Sequence, residues 1–143
     1  MNTNKTIAEI KDQKGILSTL WIFAMFNYLY CDVLALMNSD YLKQVLTGNV
    51  AGIHFTPGFL LGAGILMEIP TAMVLLSRVL KYGANRWTNL IAGAFMTVVQ
   101  IASLWVGSPT LYYIFFSVIE IACTAFIVSY AWRWAESENV SNS

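Results

Sequence analysis

Three acidic residues, Asp32, Glu68 and Glu120, interrupt stretches of the chain that otherwise read as apolar helices long enough to cross a bilayer. A carboxylate near the bilayer centre costs about 3 kcal/mol on insertion scales. Three such costs in one short chain mean that each acid needs a partner, a proton or a task. The runs themselves dictate helices. Lipid offers the backbone no hydrogen bonds, and the runs are too long, and lack the alternation, for barrel strands.

Composition supports the same reading. The chain has 143 residues, 57% hydrophobic and 11% charged, where a soluble domain is about a quarter charged. A soluble fold of this length cannot hide that much apolar side chain. The formal net charge is zero, so no basic patch argues for a nucleic-acid partner. The expected fold class is all-α, an integral membrane four-helix bundle. Its spans are expected at about 16–38, 58–78, 87–107 and 110–132, within one domain over 16–134. Residues 1–15 form a polar N-terminal segment and 135–143 a polar tail. The first apolar run is longer than a signal-peptide core and is read as a retained span.

Positive charge sets the expected direction. Lys5, Lys11 and Lys14 precede the first span, Arg78, Lys81 and Arg86 lie in the second loop, and Arg133 follows the fourth span. Only Lys43 falls on the other side. Both termini are therefore expected in the cytoplasm. Tyr82, Trp87, Trp132 and Trp134 then mark the inner interface, and Tyr41, Trp105 and Tyr112 the outer one. Topology alone accounts for the Arg78, Lys81 and Arg86 cluster, with anionic lipid headgroups as the alternative occupant.

The first loop, residues 39–57, reads as a short amphipathic interfacial helix capped by Ser39 and ended by Gly48, with Tyr41, Leu42, Val45 and Leu46 on one face. Pro57 suits the first turn of the second span. Gly107-Ser108-Pro109 is a tight turn, which makes spans three and four antiparallel neighbours.

Helical spacing aligns Asn89, Gly93, Thr97, Gln100 and Ser103 in the third span, and Tyr113, Ser117, Glu120 and Thr124 in the fourth. Both stripes are expected to face the bundle interior. Glu68 precedes Pro70, which frees the Leu66 carbonyl and predicts a kink. Asp32 lies one turn beyond Tyr28, and Asn27 points about 140° away from Asp32. At 1.5 Å per residue, Asp32 and Gln100 are about 10 Å from the outer ends of their spans, and Glu68 and Glu120 about 15 Å. No basic residue lies at that depth. The acids are thus expected to be neutral, hydrogen-bonded to one another or to polar neighbours, or occupied by a cation.

The candidate ligand-binding set is Asp32, Glu68, Gln100, Tyr113 and Glu120, supported by Asn27, Tyr28, Pro70, Thr97 and Ser117. No catalytic residue is assigned. Nothing in the sequence calls for a cofactor. There is one His, so no histidine-rich metal site or di-iron pattern arises. No phosphate loop, dinucleotide fingerprint or nucleophile elbow occurs. Cys31 and Cys123 lie in apolar runs without a C-x-x-C pattern and read as buried thiols.

The runs Thr56-Pro57-Gly58-Phe59-Leu60-Leu61, Met67-Glu68-Ile69-Pro70, Leu76-Ser77-Arg78-Val79-Leu80-Lys81-Tyr82 and Asn85-Arg86-Trp87 resemble a family of small bacterial four-span membrane proteins of unknown function. Tyr113-Ile114-Phe115-Phe116, Glu120 and Tyr130-Ala131-Trp132-Arg133-Trp134 fit the same family. The architecture is also similar to DoxX-like four-helix proteins. The resemblance implies a bacterial inner-membrane location and no activity.

The leading functional expectation is a buried acidic pocket in the outer half of the bundle. It would bind or transport a proton or a small cationic or amphipathic ligand. Expected partners are membrane lipid, that ligand and, for transport, a second copy of the chain. One alternative is an accessory or structural subunit whose acids are interhelical hydrogen-bond glue. Another is an intramembrane lipid- or quinone-modifying enzyme with Glu68 and Glu120 as an acid-base pair.

Overall fold

The computed structural model describes residues 3–141, with side chains from 9 to 134. Five helices are present: α1 (Thr3–Met37), α2 (Ser39–Leu46), α3 (Pro57–Val79), α4 (Tyr82–Ser103) and α5 (Leu111–Ser141). Three segments, Glu9–Met37, Pro57–Val79 and Leu111–Trp134, are long and apolar enough to cross a membrane. The helix of the expected third span, α4, falls short of that apolarity. Its polar residues Asn85, Asn89 and Gln100 are buried against the other helices. It starts at Tyr82 rather than 87, so it absorbs most of the expected second loop. The N-terminal segment also joins α1 from Thr3, and α5 carries most of the expected tail as helix.

The long helices pack pairwise, α4 on α5, α1 on α3 and α1 on α5, with a thinner α3–α4 contact. Leu17, Trp21, Met73, Met96 and Ile127 sit in the shared core. One end of the molecule carries the termini and the Leu80–Lys81 turn, the terminal end. The other, the loop end, carries residues 38–56 and the α4–α5 turn.

At the loop end, Asn38 rather than Ser39 caps α2: its side chain accepts from the backbone N–H groups of Asp40 and Tyr41. Gly48 ends the helix at φ 70°. An unexpected hairpin follows, pairing Asn49 with His54 and Val50 with Ile53. Its two turn residues, Ala51 (φ 51°) and Gly52 (φ 84°), are both left-handed, as the tightest hairpin turn demands. Thr56 then caps α3 by accepting from Phe59 N–H, and Pro57 opens the helix.

Helix α3 runs through Pro70 without a break. Its two halves pack differently. Pro70, Met73 and Ser77 are buried, whereas every residue from 57 to 65 is exposed.

Candidate functional site

Helices α4 and α5 meet along the two polar stripes, in one antiparallel register. Tyr113 OH donates to Ser103 Oγ at 2.6 Å, Gln100 Nε2 donates to Ser117 Oγ at 2.8 Å, and the hydroxyls of Thr97 and Thr124 are hydrogen-bonded at 2.7 Å. Glycine 93 continues the seam. A Cβ there would meet Val128 Cγ2 at 2.8 Å and Thr124 O at 3.4 Å, so only glycine permits this approach.

Glu120 belongs to the same stripe and is left out of the ladder. Its side chain is 1% exposed. Its Oε1 is fully buried and has no hydrogen-bond partner among the described residues. Facing it from α1 is Tyr28, within electrostatic range, whose buried OH is also unpartnered. An unsatisfied buried polar group costs about 1–3 kcal/mol. Two in one neighbourhood are therefore a concentrated cost.

Asp32 lies one turn beyond Tyr28 and within electrostatic range of Glu120. It is exposed because it forms a wall common to two cavities. The first is an open cleft of about 520 Å³ between α1 and α3. Its walls are apolar, chiefly Ile22, Met25 and Leu29 against Met67, Pro70 and Val74. Tyr28, Asp32 and Thr71 supply its polar groups, and the Thr71 hydroxyl is already committed to Met67 O at 2.9 Å. The second cavity, about 620 Å³, lies at the loop end beneath α2 and the hairpin, with Tyr41, Tyr112 and Tyr113 in its walls. Burial, and then the Asp32 carboxyl, push the Tyr41 phenol above its ordinary value. Tyr41 therefore stays a neutral O–H group.

The expected site residues thus divide. Asp32, Tyr28, Glu120, Gln100, Tyr113, Ser117 and Thr97 gather toward the loop end, and Pro70 lines the cleft. Glu68 does not join them. It is exposed on α3, two residues and about 200° from buried Pro70. The α1–α3 contact through Pro70, Met73 and Ser77 turns it outward. Glu68 lines neither of the two cavities. Asn27 is absent from the gathering too: its Nδ2 donates back to Phe23 O at 2.8 Å, within its own helix.

A second polar cluster, at the terminal end, was not anticipated. Trp21 Nε1 and Ser77 Oγ both donate to Asn89 Oδ1, at 2.7 and 3.2 Å. Asn89 Nδ2 donates to Asn85 Oδ1 at 2.6 Å, and Asn85 Nδ2 to Ser77 O at 2.6 Å. Ser18 Oγ donates to Val74 O at 2.8 Å and accepts from Arg78 Nε at 2.9 Å. Ser18, Ser77, Asn85 and Asn89 are wholly buried. The buried Ser18, Ser77, Asn85 and Asn89 side chains are all hydrogen-bonded, so this cluster ties α1, α3 and α4 together. The i, i+4 pair Asn85 and Asn89 was its available sequence signal.

No group of three or more His, Cys, Asp and Glu side chains able to hold a metal ion occurs among the described residues. Cys31 and Cys123 are buried free thiols. What the site offers chemically is two carboxyls and a phenol: hydrogen-bond acceptors beside an apolar cleft.

Comparison with protein families gives a match. The model of a family described as a family of unknown function (DUF6326) matches residues 5–141. No DoxX-like relation accompanies it. No curated protein and no solved structure matches the chain.

Proposed function

The chain belongs to the family of unknown function DUF6326, and from that premise we propose that it is a four-span bacterial inner-membrane protein that binds a small cationic amphiphile. Both termini face the cytoplasm, in accord with the distribution of Lys and Arg. Helix α4 is the third span in chain order, shielded from lipid along its polar side by α1, α3 and α5. The loop end faces outward.

The observation that carries the ligand class is Asp32, exposed at the junction of an apolar cleft and a polar mouth, with Glu120 Oε1 buried without a donor within electrostatic range behind it. A protonated amine supplies N–H donors to Asp32 and to the Tyr28 oxygen, both of which line the cleft. Its positive charge is balanced by the carboxyls. Its apolar tail fits between Ile22, Met25, Met67 and Val74. A neutral alcohol supplies one donor at most, and a carboxylate ligand is repelled.

The alternative of hydrogen-bond glue applies to the rest of the stripe. Gln100, Ser117, Thr97 and Thr124 pair with each other, so their role is helix packing.

The test is binding of radiolabelled dodecylamine to the full chain in neutral-lipid nanodiscs, with dodecanol and dodecanoate as competitors. Dodecylamine should bind saturably, and Asp32→Asn and Glu120→Gln should each weaken it about tenfold or more, the scale of one charge-assisted hydrogen bond. Glu68→Gln should leave it unchanged. Equal binding by all four proteins, or equal competition by dodecanol, would overturn the proposal.

A further inference from the structure

Among the described residues Arg86 makes no hydrogen bond, and its Nε is buried without a partner. Two other basic groups at this end make protein hydrogen bonds, Lys14 Nζ to Leu80 O and Arg78 Nε to Ser18 Oγ, while Lys11, Lys81 and Arg133 are exposed. Two indoles fix Arg86 in place. Its Cζ is 5.6 Å from the Trp87 ring centroid and 5.8 Å from that of Trp132. Both rings are largely exposed, at 57% and 63%.

The placement follows from the α4–α5 register. Gly93 and Thr97, seven and eleven residues beyond Arg86, share its side of α4 at about 100° per residue, and both contact α5. Arg86 therefore sits at the terminal mouth of the same seam, with Trp87 of α4 on one side and Trp132 of α5 on the other.

We infer that Arg86, held between Trp87 and Trp132, is a binding site for the phosphate of an anionic phospholipid headgroup. Guanidinium presents a planar fork of N–H donors that matches two phosphate oxygens at once. Exposed indoles settle at the headgroup level. The two rings hold the side chain in place before the ligand arrives, so little rotamer freedom remains to be lost. The low polarity around Nε strengthens a hydrogen bond made there. The site uses the membrane reading above but none of the amine-binding residues, so each stands or falls alone.

The experiment is native mass spectrometry of the full chain, loaded from an equal mixture of phosphatidylglycerol and phosphatidylcholine. The wild type should retain phosphatidylglycerol preferentially. Arg86→Gln should reduce that preference about tenfold, the factor one charge-assisted hydrogen bond supplies. Arg86→Lys keeps the charge between the rings but loses the fork, and should also lose most of the preference. It carries the test if Arg86→Gln does not fold. Arg133→Gln, an exposed cation at the same end, should leave the preference intact. A wild type without preference, an unchanged preference in both Arg86 variants, or an equal loss in Arg133→Gln would overturn the inference. Inorganic phosphate separates the two sources of this chemistry. Retention of phosphatidylglycerol in its presence supports the lipid, whereas phosphate binding without lipid preference overturns it.

Discussion

Thr97 and Thr124 are hydrogen-bonded across the α4–α5 seam at 2.7 Å, and the bond bypasses Glu120, whose Oε1 lies one turn away with no donor. An acid placed as glue would hold the seam; this one does not. Glu120→Gln should therefore change unfolding stability by less than about 1 kcal/mol, or raise it slightly, while amine binding is lost. Thermal unfolding in detergent, run beside the binding assay, checks this. A large destabilisation would return Glu120 to a structural role.

Gly93 sets how closely those helices approach. Gly93→Ala places a Cβ 2.8 Å from Val128 Cγ2, and overpacking of this kind costs about 1–3 kcal/mol. The clashing atom is a side-chain end, so Val128→Ala in the same chain should recover most of the loss. Unfolding of the single and double variants gives the comparison.

Asn89 accepts from both Trp21 and Ser77. Asn89→Leu strands the indole N–H and the Asn85 side chain in a wholly buried place. The expected loss is about 2–3 kcal/mol, one to two unsatisfied groups. Trp21 fluorescence should shift with it. Asn27→Leu breaks only a bond within one helix turn and should be close to neutral.

Glu68 gives the opposite sign. It is exposed on a helix long and apolar enough to cross a membrane, so Glu68→Leu should ease insertion by about 3 kcal/mol. A translocon insertion assay of the α3 segment measures it. Amine binding by the full chain should not change.

Tyr41 reports on Asp32 through pH. Its phenol is raised above the ordinary value by burial and then by the Asp32 carboxyl. The native state thus resists losing this proton more than the unfolded chain does. The contribution is complete below about pH 10, the unfolded tyrosine value, and is lost as pH rises through the higher native value. Alkaline unfolding should therefore be shallower in Tyr41→Phe, and Asp32→Asn should let Tyr41 ionise at lower pH, seen in the tyrosinate absorbance difference between the two proteins.

That the chain is helical, and roughly where its long helices run, was legible in the sequence; which side of each helix is buried was only partly so. The α4–α5 ladder followed from spacing, because Thr97, Gln100 and Ser103 and their α5 partners repeat at helical intervals and a short turn fixes the register. The span α3 was located to within a residue at each end, since Pro57 and the change to charge at Arg78 punctuate it. The outward turn of Glu68 was missed because depth was compared without asking which side of α3 Pro70 and Ser77 would bury. The Trp21–Asn89–Ser77 cluster was missed because its members come from three helices and no single segment shows a stripe. The hairpin was missed because two-residue strands leave no alternation to read.

Helix α3 is tied down over Pro70 to Ser77 and touches little from 57 to 65. The thirteen residue steps from Pro57 to Pro70 make a lever about 20 Å long. A tilt of about 10° at the proline, where one backbone hydrogen bond is already missing, carries its tip about 3.5 Å. Such a swing widens or narrows the α1–α3 gap while the asparagine cluster at the other end keeps its geometry.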